Sequence, residues 1–167
     1  MVDHIVSLSE QEIVSGALLG NADAINLYNT LARTSQLIDD FIDRDKPVDP
    51  QAILASIIAL TVDMPRNRFY RICIDEVVMI IEDAWQVWVQ ATELERGVSL
   101  KMIPDDHAKR VLEISYIKRS AMTDLLIKLA RLVGGREHEN KWAFNIRCWV
   151  YLNNENFAEY AKEHGVM

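Results

Sequence analysis

Hydrophobic residues recur at helical spacing along the whole chain, and short stretches containing glycine, proline or asparagine separate the repeats. One clear stripe consists of Tyr28, Leu31, Ser35, Ile38 and Ile42, which follow the i, i+3, i+4 rhythm of a helix with one face toward a core. The pattern therefore predicts an all-α fold, a helical bundle of about six to seven helices.

Capping and helix-breaking residues set the predicted boundaries. Side chains that can accept hydrogen bonds from the free N–H groups of a first helical turn are Ser7 or Ser9, Asn21, Asp49, and Asn153 or Asn154. The first predicted helix ends near residue 19. The next five cover about 22–43, 52–62, 65–96, 105–133 and 137–151, and a short last helix ends near Gly165.

The third predicted helix has an unusual composition. It is almost uniformly apolar, with no charged residue from Ala52 to Val62. A solvent-facing helix normally has one polar side, so apolarity all round over so short a length predicts a central, buried helix.

The fourth predicted helix is long and amphipathic. Its apolar stripe, which we expect to face the core, consists of Ile74, Val78, Ile81, Trp85 and Trp88. The length of the fourth and fifth helices, and the aromatic residues of the fourth and sixth, make a homodimer a further prediction.

Composition narrows the class of protein. The chain has 167 residues, half of them hydrophobic and 26% charged, which predicts one globular domain over residues 1–167. Its net charge of −7 argues against direct binding to nucleic acid. No apolar run approaches a membrane span, and the start has no basic signal region. The lack of such segments, together with two isolated cysteines, Cys73 and Cys148, predicts a cytoplasmic protein with free thiols.

Candidate chemistry lies at the end of the second predicted helix. Asp39, Asp40 and Asp43 share an arc of roughly 100° on a helix of 100° per residue. Grouped carboxylates suit Mg²⁺, which is commonly held by one or two of them and completed by water and substrate phosphates. These three aspartates are therefore the predicted metal ligands.

This DDxxD sequence, preceded by Ile38, resembles the first aspartate-rich motif of class I isoprenoid synthases. The resemblance covers about nine residues. It implies an all-α bundle in which Mg²⁺, held by Asp39, Asp40 and Asp43, binds an allylic diphosphate.

Three arginines could hold the phosphate of such a ligand. Arg66, Arg68 and Arg71 open the fourth predicted helix, where free amides favour anions, so they are the predicted phosphate-binding residues. A helical NTP pyrophosphatase arrangement is an alternative, with Asp40 and Asp43 facing carboxylates of the fourth helix. Those carboxylates, which also read as a solvated face, are Asp75, Glu76, Glu82 and Asp83.

The sequence is consistent with two functional hypotheses. The first is a Mg²⁺-dependent protein that binds or turns over a diphosphate-containing small molecule, with no catalytic residue assigned. The second is a non-catalytic acidic protein that acts by protein–protein contact, as an accessory factor or inhibitor of a nucleic-acid-handling enzyme, since its charge suits basic partner surfaces.

Overall fold

The computed structural model describes residues 8–43, 47–118, 120–153 and 156–166, and no strand occurs within these ranges. The helices are α1 (Glu10–Ala17), α2 (Ala22–Asp43), α3 (Pro50–Ile58), a π-helical segment (Ala59–Asp63), α4 (Met64–Arg66), α5 (Arg68–Ile72), α6 (Ile74–Ser99), α7 (Asp105–Lys118), α8 (Ala121–Asn153) and α9 (Phe157–Glu163). The predicted all-α bundle of six to seven helices is confirmed, once the short helical turns are counted with their neighbours.

The first three helices begin where the capping residues predict. Ser9 and Glu12 form a reciprocal capping box at the start of α1. The side-chain oxygen of Asn21 accepts hydrogen bonds from two backbone N–H groups of α2, each at 3.1 Å. Asp49 Oδ1 accepts from the Gln51 N–H at 2.9 Å, with Pro50 in the first helical position. The alternative first cap, Ser7, lies outside the described residues.

The predicted fourth helix is interrupted twice. Asn67 is extended (φ −60°, ψ 128°) and Cys73 also leaves the helical conformation (φ −114°, ψ 34°), so α4, α5 and α6 are separate. The prediction of one helix over 65–96 is wrong at Asn67 because the side chain of this residue forms hydrogen bonds that cap α5 and join it to α2. Its side-chain oxygen caps the Tyr70 N–H at 2.9 Å, and its Nδ2 donates to the carbonyl oxygen of Asp23 at 2.8 Å.

Two other boundaries differ from the prediction. The predicted fifth helix divides, because α7 ends at Lys118 and α8 begins at Ala121. The last helix is capped by Asn156, whose side chain accepts from the Ala158 and Glu159 N–H groups, and Asn153 instead belongs to α8. The predicted break at Gly134–Gly135 is present as a kink in α8, with Gly135 at φ 77° and ψ −176°.

The most buried line of α6 differs from the predicted stripe, of which Ile81 packs against the core at its edge. The buried residues lie seven apart and form one line along the helix: Val77, Ala84, Ala91 and Val98. Ile74 and Val78 are instead 45% and 44% exposed. Two alanines on the buried line let α7 and α8, the main neighbours of α6, approach closely.

The helix α3 is not the buried central helix that its composition predicts. None of its residues is buried. Its principal contacts are with the adjoining π-helical segment and with one longer helix, α2. The core is built instead from α1, α2, α5, α6 and α8. A smaller second cluster joins α6, α7 and α9 around Leu112 and Tyr160.

Candidate functional site

The aspartate-rich end of α2 is helical to its last residue, so the angular spacing that the sequence predicts is retained. Asp39 and Asp40 are half-buried, and Gln36 Nε2 lies 3.5 Å from Asp40 Oδ1. The side chain of Asp43 lies outside the described residues. Among the residues described, no group of three His, Cys, Asp or Glu side chains is placed to hold a metal ion.

The predicted phosphate-binding arginines lie at the other end of α2. All three are exposed, and the hydrogen bond from Asn67 to the Asp23 carbonyl holds their segment beside the start of α2. Between Asp23 and Asp39 the axis of α2 rises by about 24 Å. Within one chain, the structure therefore does not bring Arg66, Arg68 and Arg71 together with Asp39 and Asp40.

The acidic residues of α6 are also separate from the aspartates of α2. All four are exposed on α6, which packs chiefly against α7 and α8, whereas α2 packs chiefly against α3, α5 and α8. Asp83 is bound by Lys128 at 2.9 Å, and Glu82 accepts from Gln86 at 3.2 Å. The two acidic segments therefore share α8 as a neighbour instead of facing each other as a pyrophosphatase site would require.

A cavity of about 320 Å³ between α6 and α8 was not foreseen from the sequence. Its charged lining forms two ion pairs, Lys128 with Asp83 at 2.9 Å and Arg147 with Asp124 at 3.1 Å, and also includes Glu139, which pairs with Arg131 at 3.6 Å. These partners lie 45 and 23 residues apart in the chain, too far for helical periodicity to relate them. Because the charges already compensate one another, the cavity offers little attraction to a charged ligand.

An exposed apolar surface follows α3. We call it the outer face of α3, by which we mean Leu54, Ile57 and Ile58 together with Val62 of the adjoining π-helical segment. These side chains are 58%, 52%, 45% and 37% exposed. Single exposed apolar residues are ordinary, but a contiguous apolar face on one helix marks an interaction surface. The prediction of a buried helix is therefore wrong for this face.

The polar residue within this face needs no external partner. Thr61 Oγ1 donates to the carbonyl oxygen of Ile57 at 2.7 Å, so its hydroxyl is used within the helix. The π-helical segment that contains Thr61 and Val62 widens the helix here, a feature frequent at functional sites. A partner could cover the outer face of α3 without leaving a polar group unsatisfied.

Charged residues lie beyond both ends of the outer face of α3. Asp49 is exposed at the start of the helix, and Arg66 is exposed at the end of α4, which follows the π-helical segment directly. No charged residue lies between Ala52 and Val62. The segment is thus an apolar strip with Asp49 before it, and with the exposed Asp63 and then Arg66 after it.

Both cysteines are free, as the sequence predicts, and each is half-buried. Burial, and then the nearby Glu76 carboxylate, raises the pKa of the Cys73 thiol, which disfavours the thiolate form. None of the described helices combines the length and apolarity required to cross a membrane.

Comparison of the chain with protein families, with curated proteins and with solved structures found no match.

Proposed function

We propose that this protein is non-catalytic and acts by protein–protein contact through the outer face of α3. The observation that carries the proposal is the exposure of Leu54, Ile57, Ile58 and Val62 on an uncharged helix that packs mainly against one neighbour. Fully burying a Leu, Ile or Val side chain is worth about 1.5–3 kcal/mol, so covering four half-exposed ones contributes roughly 4 kcal/mol from this side alone.

The charge of the chain shapes the proposed role. A net charge of −7 favours partners with basic surfaces, and it disfavours direct contact with nucleic acid. The role proposed is therefore that of an accessory factor or inhibitor of a nucleic-acid-handling enzyme in the cytoplasm. Such a protein needs a complementary surface and no reacting groups.

Cysteine accessibility in the source cells tests the proposal. In a Cys73→Ala/Cys148→Ala background, Leu54→Cys on the outer face of α3 is compared with Met79→Cys on α6, because the two native side chains are 58% and 59% exposed. We expect maleimide to modify both in the diluted purified protein, but only the cysteine at position 79 inside the cell. Equal modification of both positions in the cell would contradict the proposal.

A Mg²⁺ site at the end of α2 is the second candidate. The unbroken course of α2 through Asp39 and Asp40 to Asp43 favours it, since the predicted arc of three carboxylate positions depends on that helix. Its ligand would be a diphosphate-containing small molecule held through the metal. The arginines of the same chain lie too far away to take part, so the metal would carry the phosphate contacts by itself.

A further inference from the structure

We propose that a cleft between α7 and α9 binds a small apolar carboxylic acid, whose carboxylate pairs with Lys109 and Lys162. The cleft belongs to the smaller apolar cluster of α6, α7 and α9, which is distinct from the main core of the protein. The inference therefore adds a ligand site to the proposed function and does not depend on the outer face of α3.

Buried polar contacts hold α9 in place as one wall of the cleft. The Tyr160 hydroxyl donates a hydrogen bond to Glu95 Oε1 on α6 at 2.5 Å, and it lies 2.9 Å from Ser115 Oγ on α7. Ala158 and Lys162, one helical turn apart on α9, both line the cleft. The wall is thus formed before a ligand arrives, which lowers the entropy that binding would cost.

The lining of the cleft is apolar except for two lysines. Its volume is about 270 Å³, and the described residues that line it are Lys109, Phe157, Ala158, Ala161, Lys162 and Val166. One liquid water occupies about 30 Å³, so this volume suits a ligand of about ten non-hydrogen atoms. Apolar walls with a few polar groups that fix orientation are typical of small-molecule sites.

The charge of the cleft selects an anion. One lysine comes from each helix, and no acidic side chain lines the cleft among the residues described. Neither Lys109 nor Lys162 forms an ion pair with another described residue. The cavity between α6 and α8 is the opposite case, because both of its cations are paired. The cleft therefore attracts a negative head group, although the whole chain has a net charge of −7.

The carboxylates nearest along the chain do not neutralise these lysines. Glu159 lies one turn before the lysine of α9, but its side chain accepts the Asn156 N–H at 3.1 Å and completes the capping box. Asp105 and Glu113 lie one turn to either side of the lysine of α7, and neither forms an ion pair with it. Because lysine stems are long and flexible, both amines can approach one carboxylate while their methylene groups extend the apolar walls.

Isothermal titration calorimetry of octanoate into the purified chain tests for the site. Octanoate joins a carboxylate to an alkyl tail and has about ten non-hydrogen atoms, and we expect a dissociation constant below about 1 mM. Octan-1-ol has a tail of the same length without the charge, and it should bind at least about tenfold more weakly. Equal affinity for the two compounds, or no octanoate binding up to about 10 mM, overturns the inference.

Paired substitutions test the role of the two lysines. Lys109→Gln/Lys162→Gln should weaken octanoate binding at least about tenfold, because it removes both charges from the cleft. Lys101→Gln/Lys141→Gln is the matched control, since it removes two exposed lysines outside the cleft and changes the net charge equally. If both double variants weaken binding to the same extent, the anion responds only to net charge and the proposed site is wrong.

Backbone amide chemical shifts locate the bound octanoate. We expect the largest changes at Lys109 and over residues 157–166. Ala158→Trp places a large side chain at an exposed position of the cleft and should abolish these changes by filling it. Changes centred on residues 54–62 would mean that octanoate adsorbs to the outer face of α3, and would overturn the ligand site while leaving the proposed function untouched.

Discussion

The side-chain amide of Asn67 donates a hydrogen bond to the backbone carbonyl oxygen of Asp23 at 2.8 Å. These residues lie 44 positions apart, and the bond fixes the end of the helical run from Pro50 against the beginning of α2. It therefore decides that Arg66 and Arg68 lie at the opposite end of α2 from Asp39 and Asp40. One contact thus separates the two halves of the ligand site that the sequence predicts.

We expect Asn67→Ala to lower the free energy of unfolding by about 1–3 kcal/mol, because it removes a helix cap and a long-range hydrogen bond together. Urea unfolding measures the change. Asn67→Ser keeps an oxygen that can cap the Tyr70 N–H but has no amide to donate to Asp23, so it should recover part of the loss. Identical losses for the two variants would show that the cap contributes nothing.

The contact between α1 and α8 depends on a glycine. A Cβ at Gly16 would overlap the six-membered ring of Trp142. Gly16→Ala should therefore destabilise the fold by about 1–3 kcal/mol, despite the better helix propensity of alanine. Gly97→Ala is the matched control, because the nearest atom there is the flexible end of Ile103 at 3.0 Å. Thermal unfolding that ranks the two variants the other way would refute this packing.

The phenol of Tyr28 gives the fold a defined response to alkali. Burial, and then the Glu10 carboxylate, raises the pKa of Tyr28 to about 12. The unfolded chain ionises this group near its ordinary pKa of 10.0, so the contribution to stability is complete below pH 10 and falls as the pH rises to 12.

At pH 11 the loss from Tyr28 should reach about 1.4 kcal/mol relative to pH 9. Urea unfolding at the two pH values, compared between wild type and Tyr28→Phe, isolates this contribution from the other tyrosines. If both proteins lose the same free energy of unfolding between pH 9 and pH 11, the pKa of Tyr28 is not raised by the fold.

The second candidate function makes a calorimetric prediction. Mg²⁺ binding should be strengthened by pyrophosphate and should vanish when Asp39, Asp40 and Asp43 are all changed to Asn. Changing the three arginines to Gln should leave the binding intact, given their separation of about 24 Å along α2. Removing anions from a helix C-terminus should also raise stability by about 0.3–1 kcal/mol per charge. Weak binding that is the same in wild type and the aspartate variant would exclude this site.

Local signals in the sequence located much of the fold. The caps Ser9, Asn21 and Asp49 act through hydrogen bonds to the next two or three residues, so their effect is visible in a short window of sequence. The course of α2 from Ala22 to Asp43 follows from such signals. The break at Asn67 does not, because it depends on a partner 44 residues away.

The candidate site likewise depends partly on local sequence and partly on contacts between distant residues. Helical spacing predicts the arc of Asp39, Asp40 and Asp43, but only tertiary packing decides that Arg66 lies far from it. Apolarity predicts that α3 is buried, but its burial within the chain depends on the neighbours that the core has already used, and the structure leaves it exposed. The ion pair of Lys128 with Asp83 likewise joins two helices, and that of Arg147 with Asp124 joins the two parts of α8 across its kink, and no local pattern relates either pair.

Photo-crosslinking in the source cells tests the central claim most directly. A benzophenone amino acid is placed at position 54 on the outer face of α3, and at position 79 on α6 as a control of matched exposure. The account predicts a protein adduct at position 54 that is lost with Ile58→Asp and absent at position 79, and its mass identifies the partner as a second copy or another chain. No adduct at position 54 above the level at position 79 would contradict the claim that protein covers this face.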